Sequence, residues 1–181
     1  MKVLAVVGLP ASGKGEVSNI AKECGIPVVV MGDVIRQTAR DEGLPMTDVN
    51  LGSISRRFRE ESGPDALAIL TIPQIEATGA PLVLVDGVRS DTEVATYKDH
   101  FNAFHLLAIE APFELRLQRL AARARDASDN LTADELRARD GRECGWGLDK
   151  AMAIADSRLE NTGTIESFGQ QIKDLLATLR E

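Results

Sequence analysis

The sequence has few cysteines and no long hydrophobic run. Cys24 and Cys144 are its two cysteines, and neither histidine lies near them, which excludes a four-cysteine zinc site. No apolar run reaches the roughly 18 residues that a membrane-spanning helix needs. The apolar opening at residues 2–7 is too short and wrongly flanked for a signal peptide. We therefore expect a soluble, cytoplasmic protein that does not bind membranes.

Basic residues are outnumbered, and aromatic residues are scarce. The 181 residues include 21 Lys and Arg against 28 Asp and Glu, a net charge of −7. An acidic chain is a poor general binder of nucleic acid, so we expect no nucleic-acid partner. Five Phe, one Trp and one Tyr predict an aliphatic core, and 44% hydrophobic residues with 27% charged residues is a globular composition.

Short apolar runs alternate with amphipathic stretches along the chain. Apolar runs that are typical of strands covered on both faces lie at 2–7, 27–31, 81–85 and 103–109, with a weaker candidate at 156–160. Apolar residues at helical spacing lie at 13–24, 112–125 and 164–179. This alternation predicts a doubly wound α/β fold, a parallel sheet of about five strands flanked by helices.

Two stretches interrupt the alternation. Residues 47–78 hold two helical patterns with no strand between them, and Pro73 is expected to kink the second. Residues 126–149 are polar, and Thr132 and Glu135 form a capping-box pattern that opens a short helix. We expect one domain over residues 1–181, in which both stretches are insertions. Its core is predicted at 1–46, 79–125 and 150–181.

Residues 8–15 read Gly-Leu-Pro-Ala-Ser-Gly-Lys-Gly, a G-x-x-x-x-G-K pattern between an apolar strand and a periodic helix. Glycines let backbone N–H groups turn toward phosphate oxygens, and the helix N-terminus adds a positive dipole end. Lys14 supplies a mobile charge for the β- and γ-phosphates. The pattern predicts a nucleoside triphosphate site, with ATP as the expected nucleotide. Its binding residues are predicted to be Gly8, Leu9, Pro10, Ala11, Ser12, Gly13, Lys14, Gly15 and Glu16.

The expected magnesium ion needs an unusual anchor. The residue after the lysine is commonly Ser or Thr, whose hydroxyl binds Mg²⁺, but here it is Gly15. Asp86 closes an apolar run at the position of a Walker B acid, so we expect it to hold Mg²⁺ through water. The alternative is an aspartate that only ends a strand before Gly87.

Three motifs resemble those of adenylate kinases. Gly8-x-Pro10-x-x-Gly13-Lys14-Gly15 is similar to their phosphate loop, which also has Gly after the lysine. Met-Gly-Asp-Val-Ile-Arg at 31–36 resembles T-G-D-x-L-R, and Asp-Gly-Val-Arg at 86–89 resembles a shortened D-G-F-P-R. Over nearly its whole length, the chain resembles an archaeal group of adenylate-kinase-like P-loop proteins, some labelled dephospho-CoA kinase-related, within the nucleoside monophosphate kinase superfamily.

The resemblance implies a phosphoryl-acceptor site and a short lid at about 126–149. In that family the arginine that matches Arg36 holds the phosphate of the accepting nucleoside monophosphate. Arg119 and Arg123 match arginines at the start of the family's lid, and we expect them to act in catalysis together with Lys14 and Asp86. The residues implied to bind the acceptor are Gly32, Asp33, Arg36, Gly87 and Arg89.

Some arginines and one aspartate also have a purely structural interpretation. Asp33 could cap the helix that follows it rather than orient Arg36. Arg119 and Arg123 share a helix face with Arg116, and that face could be solvated. For Arg116 we expect this, with local ion pairs such as one to Glu114.

Other residues outside the motifs have open or structural interpretations. Arg56, Arg57 and Arg59 lie close to acidic residues and suggest a solvated face, although one of them could touch the acceptor. His105 lies in an apolar strand and is expected to be a hydrogen-bonded core residue. Trp146 could stack on a base or anchor the lid.

The predicted function is ATP-dependent transfer of a phosphoryl group to a nucleoside monophosphate similar to AMP, or to a nucleotide-like acceptor. Dephospho-CoA or another small metabolite is an alternative acceptor. A nucleotide-binding regulatory module with weak or no turnover is an alternative of another class. Glu16 favours it slightly, because a carboxylate beside the phosphates repels them. We expect a monomer or a small homo-oligomer.

Overall fold

The computed structural model describes the backbone of residues 1–124 and 132–180, and their side chains except those of residues 48, 123 and 124. Within these residues, five parallel strands form one sheet in the order β2-β3-β1-β4-β5. The strands are β1 (Lys2–Val7), β2 (Val28–Val30), β3 (Leu82–Asp86), β4 (Ala103–Glu110) and β5 (Ser157–Glu160). The predicted doubly wound α/β fold is therefore confirmed, and all five strands lie where the apolar runs predicted them.

Helices connect the strands and cover both faces of the sheet. In chain order they are α1 (Lys14–Glu23), α2 (Gly32–Asp41), α3 (Asp48–Ser62), α4 (Ala66–Ala77), α5 (Asp91–His100), α6 (Phe113–Ala124), α7 (Ala133–Gly145), α8 (Leu148–Ala153) and α9 (Ile165–Arg180). Among the described residues, no helix has the length and apolar character needed to cross a bilayer.

The core has two aliphatic layers, one on each face of the sheet. Because successive side chains of a strand point to opposite faces, β1 sends Val3 and Ala5 into one layer and Leu4 and Val6 into the other. The first layer is closed by α4, α5 and α8, and the second by α1 and α9. Burial on both faces explains why β1 reads as a continuous apolar run.

The two predicted insertions are both helical where they are described. Residues 47–78 contain α3 and α4, and α4 continues through Pro73 to Ala77. The predicted capping box is present at the start of α7, where the Thr132 hydroxyl accepts from the Glu135 amide and the Glu135 carboxylate accepts from the Thr132 amide. Residues 126–131 of the predicted lid lie outside the described residues. At its other end, Leu148 begins α8 and is buried in the core.

Candidate functional site

The candidate site lies at the edge of the sheet where the parallel strands end. The phosphate loop follows β1, and Asp86 is the last residue of β3. Val6 pairs in register with Asp86, so the loop begins beside that carboxylate. Gly32 opens α2 directly beyond the neighbouring strand β2. Ligands of open α/β sheets bind in the crevice at this edge, which is where the sequence motifs converge.

The backbone of the phosphate loop depends on its glycines. A Cβ on Gly8 would lie 2.6 Å from the Ile109 carbonyl oxygen, and one on Gly13 would lie 2.2 Å from the Asn161 amide nitrogen. Gly13 also has a φ of +114°, and Ala11 has a φ of +61°. Gly13 is the N-cap of α1 and offers no side-chain cap, so no capping side chain competes with an anion there.

Lys14 lies folded back on its own loop. Its Nζ donates to the Gly8 carbonyl oxygen, and to the Leu9 carbonyl oxygen at 3.1 Å. Burial lowers the pKa of Lys14 to about 8, opposed by the negative charges of Glu143 and Asp86 and reinforced by Arg89 and Arg139. Three separate parts of the chain, β3, the turn after it and α7, therefore bring charges to the loop lysine.

Asp86 is more than a residue that ends a strand. Its Oδ2 accepts a hydrogen bond of 2.9 Å from the hydroxyl of Ser18, which lies one helical turn after Lys14 on α1. Ser18 was not among the predicted residues, although its spacing of four from Lys14 places both on one helix face. A Cβ on Gly15 would meet no atom within 4 Å, so lack of space does not explain why glycine stands here in place of the usual Ser or Thr. Glu16 lies in the first turn of α1.

The oxygen atoms of Asp86 and Ser18 fit a magnesium ion. Mg²⁺ favours hard oxygen ligands, and it is usually held by one or two carboxylates together with substrate phosphates and water. A cage made only of protein groups is not present in the described part of the chain, where no group of three or more His, Cys, Asp or Glu could hold a metal. One carboxylate beside a phosphate loop is the donor set that a nucleotide-bound Mg²⁺ requires.

Two arginines of α6 donate hydrogen bonds to carbonyl oxygens of the phosphate loop. Arg116 is buried, donates 3.1 Å to the Pro10 carbonyl oxygen and makes two bonds of 2.9 and 2.7 Å to the Asp140 carboxylate of α7. The prediction of a solvated Arg116 is therefore wrong. The expected partner Glu114 is on the same helix, whereas the carboxylate that pairs with Arg116 belongs to α7.

Arg119 contacts the same loop through Ser12. Its guanidinium donates to the Ser12 carbonyl oxygen at 3.3 Å and to the backbone and side-chain oxygens of Asn161 at 2.8 and 2.9 Å. Asn161 follows β5 and donates to the same Ser12 carbonyl at 2.8 Å. Arg119 thus bridges the phosphate loop and the loop after β5. The side chain of Arg123 lies outside the described residues.

A cluster of two arginines and a tryptophan lies on the α7 side of the site. Glu93 is fully buried, and its carboxylate accepts from the Arg89 amide at 2.7 Å and from the Arg59 guanidinium at 3.1 Å. Both guanidinium carbons lie over the Trp146 ring, at 5.5 Å for Arg59 and 5.6 Å for Arg89. Burial raises the pKa of Glu93, while the Arg89 amide and Arg59 act against it.

This cluster changes the expectation for Arg59. The sequence suggested a solvated face for Arg56, Arg57 and Arg59, but the Arg59 side chain is largely buried against Glu93, while Arg57 is exposed and pairs with Glu42. Glu93 was missed in the sequence because it reads as an ordinary acidic residue in the first turn of α5.

Asp33 and Arg36 form an exposed ion pair on α2. The N-cap of this helix is Met31, and Asp33 Oδ1 accepts from Arg36 Nε at 2.9 Å. Capping by Asp33 is therefore wrong, because the helix begins at Gly32 and leaves Asp33 inside the first turn. Of the other predicted acceptor residues, Gly87 has a φ of +101° in the turn that carries the chain from Asp86 toward Arg89.

His105 lies in β4 and is hydrogen-bonded, as expected. Its Nε2 lies 2.8 Å from the Ser157 hydroxyl of the adjacent strand β5.

Comparison with known proteins agrees with the fold and the loop. A phosphate loop between the first strand and first helix of a five-stranded parallel sheet defines a P-loop protein of the kinase-like type. The family described as the AAA domain matches residues 7–137. The chain is 54% identical to a UPF0200 protein of Methanoculleus marisnigri over 99% of this chain and 97% of that protein. It is 51% identical to a UPF0200 protein of Methanoregula boonei over 99% and 98%. The chain therefore belongs to the UPF0200 family of P-loop proteins, within the AAA-domain group.

Solved structures share the fold at low sequence identity. TT1252 of Thermus thermophilus has a TM-score of 0.68 at 19% identity, covering 98% of this chain and 97% of its own. A gluconokinase of Sinorhizobium meliloti 1021 gives 0.57 at 16%, covering 99% and 93%. The shikimate kinase of Aquifex aeolicus vf5 gives 0.52 at 18%, covering 97% and 96%. These matches confirm the kinase-like fold, and the narrower resemblance to adenylate kinases stays a prediction.

Proposed function

We propose that the protein transfers the γ-phosphoryl group of ATP to a small anionic acceptor, and that a nucleoside monophosphate similar to AMP is the first candidate. The observation that carries the proposal is the meeting of two cationic groups at one edge of the sheet. Lys14 belongs to the loop that follows β1, and Arg89 to the turn that follows β3, and these two strands are paired neighbours that end together at Val6 and Asp86. Transfer between two anions requires positive charge around both of them.

The loop and the start of α1 form the nucleotide half of the proposed site. Backbone N–H groups of residues 8–15 and the α1 N-terminus would bind the phosphates, and Lys14 would leave its loop carbonyls for the β- and γ-phosphates. Asp86 and Ser18 would hold Mg²⁺, which supplies charge neutralisation of the phosphates when it is bound. Arg116 and Arg119 would keep the loop in its binding shape from behind.

The cluster of Arg59, Arg89 and Trp146 forms the acceptor half. An arginine pairs well with a phosphate, and a planar base would stack on the exposed Trp146 ring in place of one of the guanidinium groups that lie over it. The buried Glu93 supports this role, because it fixes one guanidinium and the backbone of the other arginine before any ligand arrives. A base and a phosphate on one molecule would match both features, which favours a nucleotide-like acceptor.

An acceptor with a hydroxyl group, such as dephospho-CoA or a small metabolite, is the second candidate. A hydroxyl acceptor gains from a nearby carboxylate that accepts its proton, whereas a phosphate acceptor does not need one. Two carboxylates, Asp86 and Glu143, act on Lys14. The fold shared with proteins named gluconokinase and shikimate kinase is compatible with this candidate.

The test is acceptor-dependent formation of ADP. Protein with Mg-ATP is assayed against a panel of nucleoside monophosphates, dephospho-CoA, gluconate and shikimate. We expect one class to stimulate ADP formation, and Lys14→Met, which keeps the side-chain length without the charge, to abolish it. ATP binding without stimulation by any acceptor would favour the regulatory module. Absence of ATP binding would contradict the proposal.

A further inference from the structure

Glu143 is a buried carboxylate that α7 brings to the proposed site. The residue is 6% exposed, and its Oε1 lies 3.4 Å from Arg139 Nε and 3.8 Å from Arg89 Nη1. Its charge also makes the largest contribution that opposes the lowered pKa of Lys14. Glu143 therefore pairs with two arginines, one in the turn after β3 and one on α7.

A substrate phosphate would need these same cations. It carries the same sign of charge as Glu143, and like charges a few ångströms apart repel each other. The present arrangement of Arg89 and Arg139 around Glu143 therefore cannot serve a phosphate group unchanged. Without any anion, however, the two arginines would repel each other.

We propose, on the basis of the function proposed above, that Glu143 is an internal counter-anion. It occupies the anion subsite formed by Arg89 and Arg139 while substrate is absent, and an incoming phosphate displaces it. Glu143 is a positioning residue in this scheme, because it keeps the cations together and ready. It also competes with the substrate and lowers the affinity for it.

The position of Glu143 on α7 makes this exchange local. The Thr132 capping box keeps the first turn of α7 helical, and the pair of Asp140 with Arg116 joins the middle of α7 to α6. Glu143 lies in the last turn, which ends at Trp146, and Gly147 follows with a φ of +102°. Displacement of Glu143 would therefore move the last turn and its tryptophan while the rest of α7 stays on the core.

The experiment compares the parent with Glu143→Gln, which removes the charge and keeps the shape. ATP with Mg²⁺ and inorganic pyrophosphate are titrated by calorimetry at low salt. Both should bind Glu143→Gln on the order of tenfold more tightly, the worth of one charge-assisted hydrogen bond. Asp134→Asn is the matched control on the same helix, since Asp134 is almost fully exposed and should leave affinity unchanged. Glu143→Asp keeps the charge but moves it away from the arginines, because its side chain is one methylene shorter. It should shift the affinity in the same direction, and it replaces Glu143→Gln if that variant does not fold.

Trp146 gives a second readout, because it is the single tryptophan of the chain. Pyrophosphate should change its emission in the parent, and free Glu143→Gln should already resemble the pyrophosphate-bound parent. A purely structural role of Glu143 would change the melting temperature without this resemblance.

Each of the following results would overturn the inference. Unchanged affinity in Glu143→Gln would mean that the carboxylate does not compete. Weaker binding only in the presence of Mg²⁺ would make Glu143 a metal ligand, and lost turnover at unchanged affinity would make it a base for a hydroxyl acceptor. If neither protein binds ATP or pyrophosphate, the inference and the proposed function fail together. A parent that binds and turns over ATP, with no gain in the variant, refutes the inference alone.

Discussion

Replacing Arg116 with methionine should destabilise the protein and loosen the phosphate loop at the same time. The Arg116 guanidinium bonds to both oxygens of Asp140 and to the Pro10 carbonyl oxygen, so it joins α6, α7 and the loop. Methionine has a similar length and no charge. The substitution therefore avoids a large cavity but leaves the Asp140 carboxylate and the Pro10 carbonyl without their donor.

The magnitude follows from burial. Breaking a buried ion pair by removing one partner costs about 3–5 kcal/mol. The Asp140 side chain is 17% exposed, so water compensates part of the loss, and we expect a value near the lower end, about 3 kcal/mol. A domain of this size loses roughly 2–4 °C of melting temperature per kcal/mol, which gives a fall of about 6–12 °C.

This loss of stability is measured by denaturant and thermal unfolding of Arg116→Met, Asp140→Leu and the double variant. Because the two side chains are in direct contact, the double variant should lose less stability than the sum of the single losses. Arg57→Met is the control, since Arg57 pairs with Glu42 at the surface and should cost below about 1 kcal/mol. The proposed link of α6, α7 and the loop through Arg116 would be refuted by either of two results. One is a loss of unfolding free energy below about 1 kcal/mol for Arg116→Met, and the other is a double variant whose loss equals the sum of the single losses. The ATP affinity of Arg116→Met should also fall, because Arg116 holds the Pro10 carbonyl of the phosphate loop, although we do not expect Arg116 itself to bind ATP.

Three other predictions concern the ligands. Burial lowers the pKa of Lys14 to about 8. In the protein without ligand, the Lys14 side chain is therefore charged below pH 8 and loses its proton above it. ATP affinity should therefore be level below pH 8 and fall above it by up to roughly tenfold per pH unit. Calorimetry in two buffers of different ionisation enthalpy should detect proton uptake there, and Lys14→Arg should remove the dependence. Arg89→Ala should weaken acceptor binding by roughly 1.5–3 kcal/mol, and an equal effect of Arg57→Ala, at an exposed arginine away from the cluster, would contradict the acceptor site. Lid closure, predicted for residues 126–149, should slow hydrogen exchange in the last turn of α7 when ATP and acceptor bind together, whereas equal, strong protection with and without ligands would indicate a fixed helix.

The sequence by itself determined the sheet and the loop. The four strands β1 to β4 were visible as short apolar runs in consecutive residues, whereas β5, whose residues are partly or fully exposed, gave only a weaker signal. The phosphate loop was visible because its glycines, its lysine and the helix after it are consecutive residues. The Thr132 capping box was predicted for the same reason, since both of its hydrogen bonds join residues three apart.

Only the tertiary structure decided which polar side chains share the site. Ser18 meets Asp86 across 68 residues, Arg59 meets Glu93 across 34, and Arg116 meets Asp140 across 24. Asp86 was predicted at its strand end, but in the sequence each of the other five residues is one more polar residue on a helix, where a solvated position was compatible with the pattern. Helical spacing fixes the side of its own helix on which a residue lies, but it does not fix what packs against that side. The partner is fixed by the strand order β2-β3-β1-β4-β5 and by the packing of the helices around the sheet. Burial then selects the pairs, because a charge removed from water is stable only beside a group that compensates it.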